Sequence, residues 1–269
     1  KSEIIMELII NNRKVFIATG GKEFDANKPA LIMLHGAGMD HTVWSMQARY
    51  FAHHGFSVLN PDLPGHGRSD GLPPASIPEY ANWVLGLISE LGGHEIHLIG
   101  HSMGSLIALA SSASLGEKVV KQALLGVLPH IQVHPNLLGA AQKNEHSAYE
   151  TVVGWGVGSK AQIGGNKAPG AWVSGTSMRL LEASKPGVLG NDLNACNNWE
   201  EGLEACSNVL CPTLLLLGSN DKMTPPKGTK IMSETLREST TITLPDAGHM
   251  MMVEQPEQTL DALISFFEN

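Results

Sequence analysis

The sequence predicts an α/β fold, a mostly parallel central sheet flanked by helices, with a helical insertion in the second half of the chain. Three observations predict it. Short, continuous apolar runs such as Ala30–Leu34 (ALIML) recur along the chain, as expected of strands buried on both faces. Stretches with helical spacing alternate with them, which is the rhythm of parallel βαβ units. The alternation then breaks from about residue 129 to residue 207, where no β-like run occurs and helical fragments are separated by glycine-rich loops. A stretch of that length does not belong inside one regular crossover.

Taken in order, residues 4–10 and 14–19 predict a β-hairpin turning at Asn11-Asn12, since asparagine tolerates the left-handed backbone of tight hairpin turns. Ala30–Leu34 is the next strand, 45–54 a helix, Phe56–Leu59 a strand and 78–91 a helix. Ile96–Ile99 is a strand that runs into a helix, and Val119–Leu128 is the strand after it. Thr213–Leu217 and Thr241–Leu244 supply the last two strands, and 256–267 is an amphipathic closing helix. The domain division that follows is a core of residues 1–128 and 208–269 with a helical cap at 129–207. Such a cap would lie over the carboxyl ends of the strands, where open α/β sheets bind ligands. Trp155, Trp172 and Trp199 within it are expected to pack inward.

Composition narrows the function. With 269 residues, 42% hydrophobic and 16% charged, the chain can bury a sizeable core. A net charge of −8 argues against nucleic acid or an anionic membrane as partner. No apolar run approaches the ~20 residues of a membrane span, and the N-terminus lacks the pattern of a signal peptide. The chain begins at Lys1, which leaves a removed leader open. Cys196, Cys206 and Cys211 form no CxxC pair, so neither a disulfide scaffold nor a zinc site is expected and a cytoplasmic location is. His53-His54 and His130 with His134 lack carboxylate or cysteine companions at metal-binding spacing. Neither metal nor cofactor is expected, and a homodimer is left open.

Residues 94–116 carry the chemistry. They read HEIHLIGHSMGSLIALASSASLG, a strand, a sharp turn centred on Ser102 and a helix. Gly100 and Gly104 flank the serine without a Cβ to obstruct a close strand–helix approach. Amides at the start of the helix face any oxyanion formed at Ser102. A second G-x-S-x-G, at Gly67-Arg68-Ser69-Asp70-Gly71, is followed by Leu72-Pro73-Pro74, which forbids an immediate helix. Ser69 is therefore a loop serine.

A serine hydroxyl needs a base, and the base an orienting acid. Among twelve histidines, His249 alone follows the last strand with a carboxylate loop upstream. Asp221, in the loop GSNDKMTPP after the run PTLLLLG, is the acid. Asp246 is a rival, but three residues from His249 it is badly placed to turn back on the imidazole. One oxyanion-hole amide is that of Met103, next to the serine. The other is assigned to Ala37 in the loop His35-Gly36-Ala37-Gly38-Met39-Asp40, with Gly38 as the near alternative. Met250, Met251 and Met252 are candidates for an acyl pocket or the core. Arg179 and Lys185 are candidates for meeting a substrate carboxylate.

The motifs HGAG with Trp44 downstream, Asp62-Leu63-Pro64-Gly65-His66-Gly67-Arg68-Ser69, GHSMG, GSND and AGHMMMVEQP together resemble the α/β-hydrolase superfamily over essentially the whole chain. The branch most similar is that of bacterial carboxylesterases, haloperoxidase-like enzymes and meta-cleavage-product hydrolases. The order Ser102, Asp221, His249 is the one that fold uses. The resemblance implies a cofactor-independent serine esterase acting on a small or medium ester. It also implies an oxyanion hole built from the first HG loop and the residue after the serine, and a structural role for Asp62 to Ser69. Dehalogenases and epoxide hydrolases of the fold carry Asp at the elbow, and Ser102 disfavours both. The alternatives are a C–C bond hydrolase of a vinylogous diketone acid, which wants cations under the cap, and a small-molecule receptor that retains the triad with little turnover.

Overall fold

A hairpin leads into the sheet. Strands β1 (Ile5–Ile10) and β2 (Arg13–Ala18) are joined by Asn11 and Asn12, both at positive φ, 51° and 59°. The computed structural model describes residues 5–92, 94–167 and 170–268, so Lys1 and Ile4, the expected first residue of β1, lie outside the described residues. β3 (Ala30–Leu34), β4 (Ser57–Pro61), β5 (Ile96–His101), β6 (Val119–Leu125), β7 (Thr213–Gly218) and β8 (Ser239–Leu244) complete an eight-stranded sheet. Its order is β1-β2-β4-β3-β5-β6-β7-β8. β2 is antiparallel to β1 and β4, and the remaining neighbours are parallel. Every residue of β3, β4, β5 and β7 is buried. That is why these strands read as unbroken apolar runs rather than as alternating ones.

Helices cover the sheet. α1 (Ser45–His53) and α2 (Ile77–Leu91) follow β3 and β4, and α3 (Met103–Leu115) follows β5. α2 begins where Ser76 accepts from the Glu79 amide and the Glu79 carboxylate accepts from the Ala75 amide at 2.9 Å, and it ends at Gly92, φ 77°. Both ends are thereby capped. β6 stops at Leu125, short of the expected Leu128, because Gly126 turns the chain at φ 59°.

Between β6 and β7 lie, among the described residues, six helices: α4 (Pro135–Gln142), α5 (His146–Gly156), α6 (Ser159–Gln162), α7 (Val173–Glu182), α8 (Val188–Asn197) and α9 (Gly202–Asn208). Asn197 at the end of α8 accepts from His130 Nε2 at 2.9 Å through its carbonyl, and from the Val133 amide at 3.0 Å through its side chain. The two ends of the segment are thus drawn together. α9 packs on α3 rather than on its sister helices. The tryptophans divide. Trp199 is buried, Trp155 is 39% exposed and Trp172 is 73% exposed, so the expectation of inward packing fails for Trp172. Its ring instead lies against Gly175 on the first turn of α7. α10 (Lys230–Thr235) separates β7 from β8, and α11 (Met251–Glu254) and α12 (Pro256–Phe267) close the chain. Among the described residues no helix is long and apolar enough to cross a membrane.

The core holds three buried histidines that resist protonation. Burial pushes His35 and His97 from 6.5 to about 4 and His101 to about 3, with His66, Lys121 and His249 respectively adding like-charge repulsion. Unfolded, each would bind a proton near 6.5, so the unfolded chain takes up protons that the folded one refuses. Stability is therefore expected to fall as pH drops from about 6.5 through about 4, at up to ~1.4 kcal/mol per pH unit for each histidine. Urea midpoints measured at pH 7 and pH 5 check this, and an unchanged midpoint would contradict neutral burial.

Candidate active site

Ser102 stands between β5 and α3 with φ 53° and ψ −117°, a backbone conformation that costs a non-glycine residue about 1–3 kcal/mol. The surroundings hold it there. The Ser102 amide donates to the Leu125 carbonyl at 2.9 Å, and Ser105 Oγ donates to the carbonyls of Gly100 and Leu125 at 2.8 and 2.9 Å. A Cβ on Gly100 would sit 2.2 Å from the Gly104 carbonyl oxygen, and one on Gly104 would sit 2.2 Å from that of Leu34. The elbow closes only because both residues are glycine.

His249 lies in the loop after β8, and its Nδ1 is 2.8 Å from Asp221 Oδ2. Asp221, just past β7, is held in turn: Oδ1 accepts from the amides of Met223 and Thr224, both at 2.8 Å, and Oδ2 accepts from Thr224 Oγ1 at 2.6 Å. Burial alone would raise the Asp221 carboxyl, but the His249 ring and these donors outweigh it and hold the group below its ordinary value. With Asp221 ionised, Nδ1 of His249 carries the proton and Nε2 is left as the basic nitrogen. That Nε2 is buried without a hydrogen-bond partner among the described residues. Asp246, the rival acid, is exposed and pairs with Lys160 at 3.3 Å. The geometry brings Asp221 to the imidazole and leaves Asp246 outside.

Ser102, His249 and Ala37 line one cavity of about 270 Å³, just under the usual range for small-molecule sites. Its walls are largely apolar and come mostly from the β6–β7 segment, through Ile131, Leu137, Val152, Trp155, Leu189 and Leu193. Met103 directly follows Ser102, and its amide, the first of α3, has no partner within the helix. Of the two amides considered in the first HG loop, that of Gly38 is engaged: it donates to Asp192 Oδ2 at 2.8 Å. Of those two residues, Ala37 is the one on the cavity wall.

Other expected residues fall elsewhere. Met250, Met251 and Met252 are buried core, while Met39 and Met223 line the cavity instead. Arg179 pairs with Glu182 on the surface, and Lys185 donates to the Ser69 carbonyl at 2.9 Å. Ser69 Oγ accepts from the Phe16 amide and donates to the Asp62 carbonyl, as befits a loop serine. Asp62 accepts from the His41 amide, His41 Nδ1 and the Arg68 amide. Asp40, His41 and Asp62 are close enough to share an ion, but these bonds already occupy the Asp62 carboxylate.

Several groups escaped sequence reasoning. His101 donates from Nε2 to the His249 carbonyl at 2.9 Å, bracing His249 from the residue before the serine. Glu254 gathers three amides: Oε2 accepts from Gly158 and Gly248, both at 3.0 Å, and Oε1 from Met250 at 3.1 Å. The last two flank His249. Gly126 gives the His249 ring room, since a Cβ there would lie 2.9 Å from it. Lys222, beside Asp221, is an exposed residue among those lining the cavity. Only His101, inside GHSMG, and Glu254, inside HMMMVE, sit in motifs that could have flagged them.

The chain belongs to the alpha/beta hydrolase family, whose model matches residues 31–262. It is 27% identical over 244 residues to the (E)-2-((N-methylformamido)methylene)succinate hydrolase of Acinetobacter baylyi, covering 88% of this chain and 90% of the relative. It is 27% identical over 247 residues to the pimeloyl acyl-carrier protein methyl ester esterase of Aromatoleum aromaticum, covering 86% of this chain and 95% of that one. The enol-lactonase structure from Burkholderia xenovorans superposes with a TM-score of 0.87 at 19% identity, over 98% of this chain and 100% of the other, a likeness of fold.

Proposed function

We propose that the protein is a serine hydrolase of small-to-medium carboxylic esters. The observation that carries this reading is the meeting of Ser102 and His249 at one apolar cavity, with His249 hydrogen-bonded to a buried Asp221. Ser102 Oγ attacks the ester carbonyl while His249 Nε2 takes its proton. The Ala37 and Met103 amides bind the oxyanion, and the protonated imidazole hands its proton to the departing alcohol. Water, deprotonated by the same nitrogen, then attacks the acyl-enzyme and releases the acid and free Ser102. Asp221 keeps the proton on Nδ1 and stabilises the imidazolium. In this reading residues 129–207 form a cap that bounds the acyl pocket. The three cysteines, free and buried, fit a reducing, cytoplasmic setting.

Lys222 favours a second reading, in which the substrate also carries a carboxylate. A lysine among the lining residues could meet such a group, and the Acinetobacter relative acts on a succinate derivative. C–C bond hydrolysis of a diketone acid is one reaction of this kind.

A fluorophosphonate and a graded panel of p-nitrophenyl esters, with one diketone acid added, test both. The adduct is expected on Ser102 alone. Activity should climb over the first few acyl carbons, at ~0.8 kcal/mol per buried CH₂, and collapse for long chains. Peptide mapping that placed the adduct on Ser69, or found none, would sink the serine mechanism. Equal activity from acetate to palmitate would sink the capped pocket, and turnover of the diketone acid alone would favour the second reading.

A further inference from the structure

A fully buried carboxylate in α8 touches the candidate oxyanion loop. Asp192 Oδ2 accepts from the Gly38 amide at 2.8 Å and lies 2.7 Å from His66 Nε2. Its other oxygen, Oδ1, accepts from the Tyr80 hydroxyl at 2.7 Å and from Asn191 Nδ2 at 3.4 Å. His66 Nδ1 faces the Pro64 carbonyl at 3.0 Å. A carbonyl oxygen only accepts, so Nδ1 carries a proton, and Nε2 carries one toward the carboxylate. The arrangement favours an imidazolium beside a carboxylate, both side chains being without solvent exposure. Burial alone would drive His66 down and Asp192 up, yet their attraction outweighs it on both sides.

Two ions are costly to bury, and this pair sits at the seam between the β6–β7 segment and the core. The Gly38 amide lies 154 residues from Asp192 along the chain. It belongs to the peptide that follows Ala37, so a charge-assisted bond there fixes the orientation of the Ala37 backbone. A neutral contact would hold that loop less firmly, and an oxyanion donor is effective only when already aimed before charge develops.

We infer that Asp192 is a positioning residue for the oxyanion hole: its carboxylate, carried on α8, holds the Gly38 amide and thereby aims the adjoining Ala37 amide at the Ser102 site. The inference rests on the esterase reading above and assigns Asp192 no contact with substrate. It also makes the β6–β7 segment a structural part of the hole rather than only a roof over the pocket.

The test compares Asp192→Asn with Tyr80→Phe, each rate normalised to sites that react with the phosphonate. Asparagine keeps the shape but loses the charge that grips Gly38. The Asp192→Asn variant is expected to lose about 10- to 100-fold in kcat on p-nitrophenyl butyrate while KM moves less than about threefold. Inhibition by a trifluoromethyl ketone, which forms a tetrahedral oxyanion, should weaken by the same factor. Tyr80→Phe removes only the donor on Oδ1, so it should lower Tm and leave kcat within about twofold. Should Asp192→Asn not fold, the neutral pair His66→Gln with Asp192→Asn removes the stranded imidazolium and carries the same expectation. An unchanged kcat in both Asp192 variants overturns the inference, as does a loss confined to Tm or KM, or an equal kcat loss in Tyr80→Phe. An active wild type with an unaffected Asp192→Asn variant sinks the inference alone. A wild type that neither hydrolyses the ester nor binds the ketone sinks the esterase reading and the inference with it.

Discussion

Replacing Ser102 by alanine should lower kcat on the preferred ester by on the order of a million-fold, the scale of losing the nucleophile in subtilisin. The change deletes one hydroxyl and keeps the Cβ, so the elbow and its φ of 53° stay in place and the fold should be intact by circular dichroism. The backbone makes a companion variant informative. Glycine adopts that conformation freely, so Ser102→Gly should be equally inactive yet more stable than Ser102→Ala by about 1–2 kcal/mol, read from urea unfolding. An alanine variant retaining a tenth of wild-type activity would mean that another nucleophile operates. A glycine variant no more stable than the alanine one would mean that the elbow stores no strain.

The second large effect concerns the acid. Asp221→Asn should leave the cavity intact but present an amide to His249 Nδ1, favouring the tautomer in which Nε2 carries the proton and cannot act as a base. The expected loss in kcat is roughly ten-thousand-fold, as for the equivalent change in trypsin. Asp246→Asn, which touches only an exposed pair with Lys160, should be nearly silent. The reverse ranking of the two variants would overturn the assignment of the acid.

Most of the sheet was legible because its strands are buried on both faces, so ALIML and TLLLLG announce themselves without any three-dimensional information. The elbow was legible for a similar reason. Gly100 and Gly104 are local requirements of one tight turn, and such requirements leave local marks. Element ends were less so: β6 was expected to continue to Leu128, yet the left-handed turn at Gly126 ends it at Leu125. The β6–β7 segment was legible as helical but not in its contacts. Trp172 was expected to pack inward, but an apolar residue entering a short helix has no periodicity to tell its face, and the ring stays largely in solvent. Asp192 was invisible as an anchor, and Glu254, though inside a recognised motif, gave no sign of what it holds, since their partners Gly38 and Gly158 lie 154 and 96 residues away and backbone amides have no sequence signature. Lys222 was hidden differently. It follows Asp221, where a lysine reads as ordinary loop surface, and only the fold places it among the residues of the cavity.

α8 presents Leu189 and Leu193 to the cavity while Asp192, between them, is fastened to Gly38, His66 and Tyr80. A wall anchored in this way resists sliding inward when a side chain is shortened, so truncation there leaves space instead of collapse. For anyone reshaping the enzyme, that makes positions 189 and 193 size dials: smaller residues admit bulkier guests at a cost in robustness. The same helix is a poor choice for insertions or deletions, because a shift of one residue rotates the anchor out of its socket.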